Sequence, residues 1–291
     1  MTFKEWLLGP KENPSVNNQW GALHISTLLI CIALIITFAF IFRNKDEKVR
    51  RRVIIVLASI ILFFEIARRL INSYTNIEMT FNSFLYHLLP RPWCAISCWC
   101  IIIAVFSKKQ FMYNAACYTS LLCAIIFFAY PSAGYNNQYI TFGNTYSICT
   151  HMLLLITSIT FITLKFTKFN YKEMWKDLIV VGIIFVYSVL EIWVLDISSD
   201  PLYYMPDNDV QSIVGLGYGL YVVLYFVFIA VYINIFYLIS DFNTAKEYIQ
   251  NCKILNIFRK DSKNLNTTEI NNVQQNSTNT ENNKKVKNKK E

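Results

Sequence analysis

Leu28-Leu29-Ile30-Cys31-Ile32-Ala33-Leu34-Ile35-Ile36 decides the fold class of this chain. A strand of a transmembrane barrel would alternate apolar and polar residues over about 10 positions, and this stretch does not alternate. It continues in both directions, from Leu23 to Phe42. That length crosses a hydrocarbon core about 30 Å thick as a helix of roughly 20 residues. Six further runs of similar length follow: Val53 to Asn72, Phe84 to Phe106, Met112 to Tyr130, Thr145 to Leu164, Asp177 to Ile197, and Gly217 to Ser240. The expected fold is an all-α membrane protein, a seven-transmembrane-helix bundle over residues 23–240. Composition agrees, with 54% hydrophobic and 16% charged residues, where a soluble domain carries about 45–50% and about 25%.

The connectors set the expected orientation, because cytoplasmic loops are enriched in Lys and Arg. Between runs 1 and 2 lie Arg43, Lys45, Lys48, Arg50, Arg51 and Arg52; between runs 3 and 4, Lys108 and Lys109; between runs 5 and 6, Lys165, Lys168, Lys172 and Lys176. The alternate connectors, Ser73 to Ser83, Pro131 to Asn144 and Ser198 to Leu216, carry none. With the tail included, 22 of the 27 Lys and Arg fall on one side. The N-terminus is expected outside and the C-terminus inside, in a multi-pass protein of the cell membrane.

Residues 1–22 are mostly polar and lack the features of a cleavable signal, so they are expected to form an extracellular segment before a retained first span. Residues 241–291 shift to Asn, Lys, Thr, Glu and Gln. The first part, Asp241 to Arg259, is expected to form a short surface helix. From about Asp261 the segment has too little apolar surface to offset its ordering entropy and is expected to be disordered. The net charge of +8 therefore reports topology, and no nucleic acid is expected as a partner.

Eight cysteines lying within apolar runs do not make a disulfide scaffold. Cys94-x-x-x-Cys98-x-Cys100 has no second ligand pair, and the three histidines lie on separate runs, so neither a metal site nor any cofactor is expected. Gly-rich phosphate loops, His-Glu-x-x-His and Gly-x-Ser-x-Gly are absent from the sequence.

An ionisable side chain at the middle of a span costs about 2.5–3.5 kcal/mol on insertion scales. The informative residues are therefore Glu65, Arg68 and Arg69 in run 2, His87 and Arg91 in run 3, His151 in run 5, and Glu191 and Asp196 in run 6. Under the expected topology all of them fall in the outer half. They are expected to face one another across a polar pocket lined by runs 2, 3, 5 and 6 and open to the outside. A plain structural role also fits several of them: Glu65 can pair with Arg68 and Arg69 at i+3 and i+4, and Asp196 lies at a span end. Run 3 is interrupted by Pro90 and Pro92, which remove backbone donors. In lipid a broken helix is tolerated where its backbone faces protein or a cavity. Cys94, Cys98 and Cys100 fit either a site or ordinary packing of small buried side chains.

The segments Leu89-Pro90-x-x-x-Cys94 and Tyr146-Ser147-Ile148-Cys149-Thr150-His151 resemble the YwaF family of bacterial integral membrane proteins. That family is related to the eukaryotic transmembrane protein 164 group, which resembles a cysteine-dependent phospholipid acyltransferase. The resemblance covers roughly Trp20 to Ser240. It implies Cys94 as the acyl-accepting nucleophile and His151 as its general base, with membrane phospholipid as the partner. Pro92 stands where the bacterial family often has histidine. Arg91, His87, Glu65, Glu191 and Arg68 are the expected substrate-binding set, with Arg91 suited to a lipid phosphate. The alternative is a non-enzymatic lipid- or solute-binding or transport protein that uses the same charged residues.

Overall fold

The computed structural model describes residues 2–16, 20–75, 88–129, 132–194, 202–203, 205–206 and 209–251. Among these the secondary structure is helical apart from one isolated bridge, Ser15 to Asn137. The helices are α1 (Phe3–Leu8), α2 (Ala22–Phe42), α3 (Glu47–Thr75), α4 (Trp93–Ser107), α5 (Gln110–Ala129), α6 (Ser132–Tyr135), α7 (Phe142–Thr163), α8 (Met174–Val189), α9 (Asp209–Val214), α10 (Tyr218–Ser240) and α11 (Phe242–Asn251). A π-helical segment, Leu190–Val194, continues α8.

The seven apolar runs are helical over nearly all of their described length, but they are not equivalent. By length and composition, α2, α5, α7 and α10 are each sufficient to cross a membrane. The other three runs fall short of that for visible reasons. α3 carries Glu65, Arg68 and Arg69 inside its run, Pro90 and Pro92 delay the start of α4 until Trp93, and α8 ends in the π segment that holds Glu191. The break anticipated at the prolines is present, since residues 89–92 are not helical.

The chain forms two compact units. In the larger one, Met1–Phe169 with Glu173–Phe236, α4 packs on α3 and α5, α5 on α7 and α8, and α7 on α2 and α3. α5 and α7 are central: 67% and 56% of their most apolar windows are buried, against 6% for α2. Large apolar side chains such as Leu29, Ile36 and Phe40 of α2 point outward, which suits a lipid-facing helix.

Polar contacts tie the two ends of this unit. At one end, backbone bonds join Val16 N–H to the Asn136 carbonyl (2.7 Å) and Gln138 N–H to the Pro14 carbonyl (3.0 Å), and Trp6 packs edge-on against Phe142. The N-terminal segment is thus more structured than its polar composition suggests. Thr2 and Glu5 form a capping box that starts α1. At the other end, Arg50 donates to the Leu164 carbonyl (2.7 Å) and Arg51 to the Val105 carbonyl (3.2 Å). Both satisfy carbonyls near helix C-termini, where cations are favoured.

The smaller unit is Asn170–Lys172 with Tyr237–Glu291. In it α11 forms the short helix anticipated after Ser240, and Tyr171 N–H donates to Asp241 (3.1 Å). The segment expected to be disordered, from Asp261 onward, lies outside the described residues.

Candidate active site

α4 begins at Trp93 behind Pro92, so Cys94 occupies the first turn of a 15-residue helix. Backbone partial positive charge is concentrated there, an environment that favours a thiolate. Cys123 comes from α5 and His151 from α7. The two sulfurs and one ring nitrogen of His151 all lie within 4.8 Å of one another. The thiols are partly exposed, whereas His151 is buried.

Two contacts fix the imidazole. Its Nδ1 is 2.7 Å from the Ser147 carbonyl. A carbonyl can only accept, so Nδ1 carries the proton and Nε2 of the neutral ring keeps its lone pair. Phe127 stacks on the ring with centroids 3.8 Å apart and planes 7° apart. Phe127 is itself part of a buried cluster with Phe128, Tyr135 and Ile148.

The charged residues form a buried polar layer. Glu65 on α3 is 1% exposed. Its carboxylate takes Arg69 Nη1 at 2.5 Å on one oxygen and the Tyr146 hydroxyl on the other. Arg69 also donates to the carbonyls of Glu65 (2.8 Å) and Leu88 (2.9 Å). The anticipated pairing of Glu65 with both arginines is corrected here. Only the i+4 partner makes a salt bridge to it, whereas Arg68 donates to the Arg91 carbonyl (3.2 Å) and lies over the Tyr146 ring, 5.2 Å from its centroid.

Arg91 sits in the non-helical stretch before α4, so helical offsets do not relate it to Cys94. Its Nε lies 3.8 Å from Glu191 Oε1, and that oxygen also accepts from the Tyr187 hydroxyl at 2.6 Å. A carboxylate among low-dielectric neighbours costs several kcal/mol unless paired. Among the described residues, each of the two buried glutamates is paired with an arginine.

Of the residues singled out in the sequence, Cys94 and His151 meet, Glu65 joins the arginines of α3, and Arg91 joins Glu191. His87 and Asp196 lie outside the described residues. His24 is buried among Trp20, Phe128 and Tyr135. Cys98 and Cys100 are buried in α4. The residue missed in sequence is Cys123, which belongs to no motif. The metal ligands sought by spacing along one run do not occur, but one cysteine from each of two helices and a histidine from a third converge.

The chain belongs to the TMEM164 family, whose sequence profile matches residues 17–243. No curated protein and no solved structure matches it. Family membership and the apolar helices together fit an integral membrane protein.

Proposed function

We propose that this protein is a multi-pass enzyme of the cell membrane that moves fatty acyl chains between phospholipids through a thioester on Cys94. The observation that carries the proposal is the approach of the Cys94 sulfur to the His151 ring within 4.8 Å, at the first turn of α4. A separation of this size is bridged by one water or closed by a small side-chain movement, as in other enzymes whose catalytic contacts tighten on substrate binding.

In the first half-reaction Nε2 of His151 takes the thiol proton, and the thiolate attacks the ester carbonyl of a phospholipid. A C–S bond forms, the ester C–O bond breaks, and His151 returns the proton to the departing lysophospholipid oxygen. In the second half-reaction His151 deprotonates an acceptor hydroxyl, which attacks the thioester. The sulfur leaves and recovers its proton from the imidazolium. Of the arginines in the polar layer, Arg68 is assigned to the lipid phosphate, because Arg69 and Arg91 face carboxylates. Glu65, Glu191 and Arg91 then shape the headgroup end of the site.

Seven spans with the N-terminus outside complete the proposal. Two features support it. The cation-rich connectors meet at one end of the larger unit, where Arg50 reaches Leu164 and Asn114 reaches the Lys168 carbonyl (3.0 Å). The N-terminal segment meets the cation-free connector at Asn136 to Gln138. The likeness to bacterial YwaF proteins around Cys94 and His151 belongs to the same proposal.

The test uses purified full-length protein and phospholipid with a labelled acyl chain. The expected result is label on the protein in a hydroxylamine-labile bond, absent from Cys94→Ala. His151→Ala is expected to slow acylation by about 10²- to 10⁴-fold, the usual contribution of a positioned base. Undiminished transfer by Cys94→Ala refutes the proposal.

A further inference from the structure

Cys123 has no part in the acyl-transfer steps, yet its sulfur also lies within 4.8 Å of the Cys94 sulfur and of a His151 ring nitrogen. We propose that Cys94, Cys123 and His151 form a binding site for one soft divalent cation of the zinc class. It goes beyond acyl transfer and stands whether or not Cys94 is a nucleophile.

The geometry suits such an ion. For three atoms no more than 4.8 Å apart, some point lies within about 2.8 Å of all three, against zinc bond lengths of about 2.3 Å to sulfur and about 2.0–2.1 Å to nitrogen. An inward shift of roughly half an ångström to 0.8 Å per ligand closes the site. Two thiolates and an imidazole are soft to borderline ligands, and three protein ligands leave a fourth position for water or a substrate oxygen. The Nδ1–H bond to the Ser147 carbonyl is the kind of outer contact that holds metal-bound histidines in one tautomer.

Charge favours the same conclusion. Binding breaks two S–H bonds, forms two metal–sulfur bonds and releases two protons to solvent. The product of two thiolates, a neutral imidazole and a divalent cation carries no net charge, so it avoids the cost of an unpaired ion in an apolar bundle. The three ligands come from α4, α5 and α7, so the bound ion would also cross-link the helices at the centre of the larger unit.

A metal ion on the Cys94 sulfur excludes an acyl group from it. If Cys94 is the nucleophile, zinc is therefore an inhibitor that competes with acylation.

The test titrates Co²⁺, a spectroscopic substitute for Zn²⁺, into reduced full-length protein in detergent. The expected result is a sulfur-to-cobalt charge-transfer band that saturates at one equivalent and is displaced by Zn²⁺. Cys123→Ser and Cys94→Ser should each weaken binding by more than 100-fold, beyond the 10–100-fold typical of outer-shell changes. Cys98→Ser, one turn along α4 and outside the cluster, should retain the band and serves as the folding control. The proposal is overturned if wild type shows no band, or if the band survives in both Cys94→Ser and Cys123→Ser. Because the band is read without substrate, a protein that binds metal and transfers no acyl group separates this proposal from the enzymatic one.

Discussion

The side chain on which the proposed chemistry turns is His151, and its position depends on a glycine with no chemistry. A Cβ added at Gly134 would stand 2.9 Å from the tip of the Phe127 ring and 3.0 Å from Ile148 Cγ1. The first is closer than such atoms tolerate, and the second is tight. Phe127 would have to move, and it stacks on the imidazole at 3.8 Å. Gly134→Ala is therefore expected to destabilise the protein by about 1–3 kcal/mol, the usual cost of overpacking. It should also slow Cys94 acylation while leaving Cys94 itself intact. Thermal unfolding in detergent and acyl labelling read the two effects; wild-type values in both would show that Phe127 does not hold the ring. His151 stood out in the sequence because a titratable group inside an apolar run is costly, whereas Cys94 was set apart from Cys98 and Cys100 by the family resemblance and not by the broken run. Cys123 did not stand out, because its neighbours Leu122 and Ala124 make it look like any other packed thiol.

At the scale of elements, prolines and charges explain why the seven runs did not become seven similar helices. Pro90 and Pro92 put Cys94 in a first turn, where a continuous helix would have put it mid-span with no dipole to favour the thiolate. The π segment places Glu191 against Arg91 and Tyr187; a wider turn of this kind is common at functional sites, and no residue pattern announces it. Beyond Ser240, the Thr244 hydroxyl, together with the backbone N–H groups of Tyr171 and Thr244 and the charge of Lys172, holds the Asp241 carboxyl below its ordinary value of 3.8. A carboxyl with a depressed folded pKa contributes stability above its unfolded pKa and loses it as pH falls through the folded one. The contact between Tyr171 and Asp241 should thus persist at neutral pH and weaken below about 4. Protection of the Tyr171 amide from hydrogen exchange, measured against its intrinsic rate at each pH, is expected to fall in that window. In Asp241→Asn protection should be low already at neutral pH, and equal protection with no pH dependence in both proteins would contradict the assignment.

For the whole molecule, topology is the property most open to a direct test. A cysteine in place of Gln138 should react with a membrane-impermeant maleimide in intact cells, whereas one in place of Lys45 should react only after permeabilisation. The reverse pattern would invert the proposed orientation. The chain alone determined the helical class, the membrane setting and the segregation of cations, because apolar length and charge placement are read along one dimension. It also exposed Glu65, Arg91 and Glu191, since each is too costly to leave unpaired in an apolar run. Only the tertiary structure decided the pairings: Arg69 for Glu65, Arg91 for Glu191, and Cys123 beside Cys94 and His151. The physical reason is that a side chain's partner in a helical bundle is fixed by which helix faces pack together. Nearly uniform apolar helices hold little record of their facing neighbours in their own periodicity.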